Sequence, residues 1–130
     1  MSIKKKLAAG VLLGGLMLSA SMSIGAANPP AGSTTWSGDV GYGDVQVDSR
    51  IKTNPDAVTY LYYDGAPENV KVWLTTRKTT GTVASVKNIL TLGEERYVST
   101  GAAYGERVNI FASREHLGDQ TFAMRGKWKQ

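Results

Sequence analysis

The chain contains no cysteine and only one histidine, His116. Without cysteine there are no disulfides, so a small domain must be stabilised by core packing alone. Zinc sites usually combine several Cys and His ligands, and one histidine cannot supply them. Gly-x-Ser-x-Gly, Walker A and metalloprotease motifs are also missing. We therefore expect a protein that is not an enzyme and has no cofactor or metal, with a hydrolase built on an unrecognised carboxylate site as the alternative. His116 is expected to lie in a solvated loop.

Long hydrophobic runs are absent as well. The apolar stretch 7–18 has 12 residues, fewer than the roughly 20 that a membrane-spanning helix needs. Three lysines, Lys4–Lys6, precede it, and the small residues Gly25, Ala26 and Ala27 follow. This order is typical of a secretory signal peptide. The sequence predicts secretion to the extracellular side after cleavage behind Ala27, or behind Ala26 as the second choice.

The predicted mature chain has little net charge. The whole chain has a formal charge of +4, and loss of the three signal-peptide lysines lowers it to +1. The basic isoelectric point therefore comes largely from the signal peptide. Overall charge gives no support for a nucleic-acid partner, and we expect none.

Periodicity divides the chain into a signal peptide (1–27), an extended Gly/Pro/Ser/Thr-rich entry segment (28–43) and one domain (44–130). Within the domain, apolar residues recur at every second position rather than at helical spacing. Turn signals separate the runs. The fold class expected is all-β, a small single-domain antiparallel β-sandwich of about seven strands. The predicted strands are 44–52, 57–63, 69–77, 83–92, 95–100, 107–113 and 121–129, with a bulge near Asn88.

Acidic residues cluster around the first predicted strand. In 44–52 the alternation places Val45, Val47 and Ile51 on the inner face and Asp44 and Asp48 on the wet face. Oxygen-rich loops hold calcium in some exported proteins. A calcium site formed by these two acids and by Asp39 is therefore a minor alternative to the expected solvated acids.

The last strand carries a row of cations, Arg125, Lys127 and Lys129, opposite Phe122, Met124 and Trp128. Such a row fits an anionic cell-envelope polymer or a membrane surface. The other interpretation, which the sequence leaves open, is that these cations protect an edge strand from pairing with other sheets.

Aromatic residues are the second candidate for binding. Tyr60 and Tyr62 share one face of their strand and Tyr63 occupies the other, so part of this set should be exposed. Exposed aromatic rings stack on sugars or on partner proteins. We therefore add Tyr63 and Trp73 to the three cations as tentative binding residues, while core packing remains the alternative for the aromatic set.

The chain ends in TFAMRGKW, and Gly126 and Trp128 carry a resemblance. Over about the last 40 residues the sequence resembles small secreted Bacillus-type proteins of unknown function. The general plan, a signal peptide before a cysteine-free body rich in Trp, Tyr and Gly, is similar to bacteriocins of the lactococcin 972 type. We expect a secreted, non-enzymatic protein that binds at or outside the bacterial cell envelope. The alternative is a secreted antimicrobial, bacteriocin-like effector.

Overall fold

The computed structural model describes residues 22–23, 27–115 and 118–130. Most of the predicted signal peptide lies outside this part of the chain, and so does His116. The described residues form no helix. The strands are β1 (Met22–Ser23), β2 (Thr34–Val40), β3 (Val45–Ile51), β4 (Val58–Ala66), β5 (Val72–Lys78), β6 (Val83–Leu90), β7 (Glu95–Ser99), β8 (Arg107–Arg114) and β9 (Phe122–Lys129).

Two antiparallel sheets pack face to face, so the predicted all-β sandwich is confirmed. In the first sheet β9 lies between β2 and β4, and the far edge of β4 pairs with β7 and with β1. The second sheet has the order β3-β8-β5-β6. All seven strands that the sequence predicts are present, and the register of β6 against β5 shifts between Ser85 and Asn88, close to the predicted bulge.

The inner faces of the strands form one hydrophobic core. In β8 the predicted inward residues Val108, Ile110 and Ala112 are all buried, as the period-two pattern requires. In β9 the predicted apolar face is buried in the same way, and its largest member is Trp128. The cations of β9 consequently project from the outer face of the first sheet.

The entry segment contributes a full strand to the sandwich. Seven consecutive residues of β2 pair with β9 without a register shift. The Trp36 side chain is fully buried, and its indole N–H donates to the carbonyl oxygen of Tyr62 at 3.1 Å. Gly38 permits close approach of the second sheet, because a Cβ at this position would lie 2.9 Å from Val47. β2, which precedes residue 44, is thus part of the packed sandwich.

A bulge in β3 changes the expected faces of that strand. The register with β8 shifts between Gln46 and Asp48, which places Asp48 opposite the buried Ile110. Val45 and Ile51 are 37% and 42% exposed instead of buried. The predicted inward position of Val47 is confirmed, since this side chain packs against the core. The prediction is wrong for Ile51 and for a solvated Asp48, because the residue inserted at the bulge reverses the alternation beyond it.

Candidate functional site

The five predicted binding residues do not form one site. Arg125, Lys127 and Lys129 occupy alternate outward positions of β9 on the first sheet. Trp73 is partly buried on the outer face of the second sheet, opposite Ser113 and Ile89. The candidate site therefore has to be built around the cations alone.

Tyr63 belongs to the core. Its side chain is fully buried, its hydroxyl donates to the carbonyl oxygen of Val70 at 2.7 Å, and its ring centroid lies 6.3 Å from that of Trp36. Burial also raises the pKa of the Tyr63 hydroxyl, so the group stays neutral. This placement removes Tyr63 from any surface that meets a ligand.

The cations of β9 are not at a sheet edge. Two strands flank β9: β2 pairs with it along Thr34–Val40 and β4 along Tyr60–Gly65. The interpretation of these cations as edge protection is therefore wrong, because an interior strand has no free backbone groups to protect. The sequence could not show this, since the pairing partner β2 is about 90 residues away.

Tyrosines run beside the cations on the same face. In one row across the sheet Tyr97, Tyr60 and Lys129 are register partners, and in the next row the partners are the acid Glu95, Tyr62 and Lys127. We name this surface the tyrosine–lysine face. It comprises Tyr60, Tyr62, Tyr97, Arg125, Lys127 and Lys129.

The rings on this face differ in exposure. Tyr97 is 60% exposed, whereas Tyr60 and Tyr62 retain only 2% and 4% exposure although they point outward. The rings of Tyr60 and Tyr97 are in contact, with centroids 5.1 Å apart. The expectation that part of the aromatic set is exposed thus holds for Tyr97, and outside this face for Tyr42 and Tyr104, but not for the pair on β4.

The phenols of β4 carry no charge that would oppose an anion. Burial raises the pKa of Tyr60, and the hydrogen bond that its hydroxyl donates to Glu95 Oε1 at 2.7 Å raises it further. Burial also raises the pKa of Tyr62, and the nearby Asp64 and Glu95 carboxylates act in the same direction. Both hydroxyls therefore stay protonated at neutral pH.

Charge on the face is concentrated at its two lysines. Arg125 Nε lies 3.4 Å from Asp64 Oδ1, so this cation is partly neutralised. Lys127 Nζ donates to the hydroxyl of Thr35 at 3.3 Å. Within the described part of the chain, no carboxylate oxygen comes within 4.0 Å of Nζ of Lys127 or of Lys129. These two ammonium groups are the cations best placed to bind an anion.

Asp64 has an unusual environment next to the basic row. Burial raises the pKa of its carboxyl, although Arg125 and Lys127 act in the opposite direction. Its Oδ1 atom accepts no hydrogen bond. The Asp64 carboxylate thus lies close to the cations, but their attraction does not fully replace the hydration that it loses on burial.

The acids of the first part of the domain are engaged separately. Asp44 pairs with Arg77 at 3.3 Å and with Lys87 at 3.0 Å. Asp48 accepts the indole N–H of Trp128 at 2.8 Å. Among residues 22–23, 27–115 and 118–130 there is no group of three or more His, Cys, Asp or Glu side chains arranged to hold a metal ion.

A buried arginine organises the loop before β9. The Arg114 side chain is 1% exposed, and its guanidinium donates to the carbonyl oxygens of Glu115, Gly118 and Gln120. It also lies over the ring of Phe122, with 4.9 Å between Cζ and the ring centroid. This arrangement is not predictable from the sequence, because an arginine at a strand end normally indicates a solvated residue.

No protein-family model, curated protein or solved structure matches the chain. The resemblances drawn from Gly126 and Trp128 therefore stay expectations. Within the described residues, no helix has the length and apolar character needed to span a membrane.

Proposed function

We propose that this protein is a secreted, non-enzymatic β-sandwich that binds an anionic polymer at or outside the bacterial cell envelope. The tyrosine–lysine face is the binding surface. Lys127 and Lys129 supply the charge, Arg125 extends the row, and the neutral tyrosines form a firm surface beside it.

The position of the cations on an interior strand is the observation that supports this proposal. Solvent-facing lysines at a sheet edge have a protective role that needs no ligand. On β9 that role does not exist, and two ammonium groups lie next to each other without a carboxylate partner in the described structure. Like charges at neighbouring sites repel one another, and a bound polyanion relieves this repulsion.

Neutral groups on both sides favour a polymer over a single small anion. Tyr60 and Tyr62 border the cations on β4, and the exposed Thr35 and Ser37 border them on β2. The exposed hydroxyls of Thr35 and Ser37 can donate to the anionic oxygens of a chain, while the buried phenol rings of β4 form a closed, uncharged surface beside the cations. The surface is open along the strand direction, as binding of a linear molecule requires.

Binding to isolated bacterial cell walls and to long-chain polyphosphate tests the proposal. The wild-type protein should bind both, and affinity should fall by roughly 5- to 20-fold between about 50 and 200 mM salt if two or three cations are engaged. A triple Gln variant at Arg125, Lys127 and Lys129 should lose most of this binding. Its melting temperature should fall only modestly, because the two lysines are on the surface and only Arg125 has a partly buried partner, Asp64.

The matched control is a triple Gln variant at Lys71, Lys87 and Arg107, which removes the same charge from exposed positions outside the face. It should bind like the wild type. Equal losses in both variants would mean that net charge, and not this face, determines binding. Secretion is tested independently, since protein recovered from the culture medium should begin at Asn28 or Ala27.

A further inference from the structure

The spacing of the cations on β9 suggests which anionic polymer fits the face. Arg125, Lys127 and Lys129 are alternate residues of a strand whose pairing with β2 has no register shift. Their Cα atoms therefore recur at roughly 6.5–7 Å along the strand, and the bulge of β4 between Tyr63 and Gly65 lies beside Arg125. The row ends at Arg125, because the next outward residue is the uncharged Ala123, opposite Asp39.

Two residues of backbone contain six covalent bonds along the chain. A phosphodiester of a three-carbon diol also has six bonds from one phosphorus atom to the next, P–O–C–C–C–O–P. A six-bond chain of this kind spans about 7 Å at full extension, as two extended residues do. A polymer with this repeat can therefore place one phosphate over every cation of the row.

We propose that the tyrosine–lysine face recognises a linear phosphodiester polymer with phosphates six bonds apart, the repeat of a poly(glycerol phosphate) chain, lying along β9. This inference rests on the proposed function and specifies its ligand class. Each of the three cations meets one phosphate. The hydroxyls of the exposed Thr35 and Ser37 face the phosphate oxygens from the β2 side.

Other repeats fit the row less well. A five-carbon diol places eight bonds between phosphates, so that when one phosphate meets Lys127 its neighbours lie beyond Arg125 and Lys129. Polyphosphate has two bonds between phosphorus atoms, so its charges are dense enough to meet cations at any spacing. Its binding therefore does not depend on the spacing of the cations. The spacing of the phosphates, rather than their number, is therefore what this face should distinguish.

Synthetic oligomers with three phosphates each provide the test. One is built on propane-1,3-diol and the other on pentane-1,5-diol, so that they have the same charge and differ in phosphate spacing. The six-bond trimer should bind the wild-type protein roughly 3- to 10-fold more tightly, which corresponds to one or two additional exposed ion pairs. Long-chain polyphosphate and anionic phospholipid vesicles are measured alongside.

A rearranged variant keeps the charge and changes the spacing. Lys127→Gln combined with Ala123→Lys leaves three outward cations on β9, at positions 123, 125 and 129. Only the first two occupy neighbouring outward positions. Ala123 is exposed, so a lysine is accommodated there. This variant should keep most of its polyphosphate binding, with a small loss because the new lysine lies opposite Asp39, and it should lose its preference for the six-bond trimer. An unchanged melting temperature verifies that it is folded.

The outcomes separate this inference from the proposed function. Equal affinity for the two trimers, including no detectable binding of either, overturns the spacing inference. If polyphosphate still binds in that case, the proposed function stands. Failure to bind trimers, polyphosphate and cell walls alike overturns both. Binding that is confined to anionic vesicles assigns the face to a lipid surface and also overturns the polymer assignment.

Discussion

Gly126 lies where two strands and a tryptophan meet, and its replacement should be among the most damaging single changes in the chain. The Trp36 indole extends from β2 across β9 to reach the carbonyl oxygen of Tyr62 on β4. It passes directly over Gly126. A Cβ at position 126 would lie 2.6 Å from Nε1 and 2.7 Å from Cε2 of that indole, and it would also collide with the Tyr62 carbonyl oxygen.

The cost of Gly126→Ala has two parts. Forcing one methyl group into a filled core costs about 1–3 kcal/mol. Displacing the indole breaks its hydrogen bond and leaves a buried donor and acceptor unpaired, which costs about 1–3 kcal/mol more. A total of roughly 3–5 kcal/mol is a large share of the 5–15 kcal/mol that stabilises a typical domain.

Urea unfolding followed by tryptophan fluorescence measures this loss. With an m-value of about 1–1.5 kcal/mol/M, the midpoint should fall by roughly 2–5 M. Gly43→Ala is the matched control, because a Cβ at Gly43 meets no atom within 4 Å, and its midpoint should stay near that of the wild type. Trp36→Phe lacks the two indole atoms nearest to the new methyl group, so its combination with Gly126→Ala should cost about 1–2 kcal/mol less than the sum of the single changes. A loss below about 1 kcal/mol for Gly126→Ala would refute the described packing of Trp36 on β9.

Three further changes test other parts of the domain. Trp128→Ala should destabilise the protein by about 3–5 kcal/mol in the same urea assay, because it empties a fully buried site and removes the hydrogen bond to Asp48; a loss near zero would contradict the assignment of Trp128 to the core. Arg114→Met should cost about 2–4 kcal/mol, because three backbone carbonyls lose a charged donor, and Arg114→Lys should recover only part of this since an ammonium lacks the planar fork. Asp64→Asn should gain stability relative to the wild type as pH rises from about 4 to 6. The sign follows from the raised pKa of Asp64: in this window the folded protein binds more protons than the unfolded chain, so the wild type loses stability as pH rises. An Asp64→Asn difference that stays constant or shrinks over the same window would show that the carboxyl pKa is not raised.

Strand positions were predictable because each depends on a local pattern. In β8 the alternation of Val108, Ile110 and Ala112 with polar residues is enough to identify both the strand and its inner face. In β2 the inner positions are Trp36, Gly38 and Val40, and a glycine in the middle of the inner face removes the hydrophobic signal. Gly38 is there because the opposite sheet comes close, and a sequence pattern does not contain that information.

The bulge in β3 was not predictable for a different reason. Val45, Gln46, Val47 and Asp48 alternate regularly, so the sequence favours an uninterrupted strand. Only the pairing with β8 shows that one residue is inserted there. Asp48 then turns inward at the sheet edge and accepts the N–H of Trp128, which is 80 residues away. Such a polar contact between two sheets depends on tertiary structure that local periodicity does not encode.

The candidate site combines a predictable and an unpredictable component. The alternation in 121–129 identifies the cations as outward-facing, and that prediction is confirmed. Their neighbours depend on strand order, which is non-local: β4 brings Tyr60 and Tyr62 to one side of β9, and β2 brings Thr35 and Ser37 to the other. The same order removes the edge-protection interpretation and leaves Lys127 and Lys129 between the tyrosines of β4 and the hydroxyls of β2, with the Glu95 and Asp64 carboxylates on the tyrosine side. Because β9 is an interior strand, its cations have no edge to protect and need another role. This is the reason to test a linear polyanion as the ligand along β9.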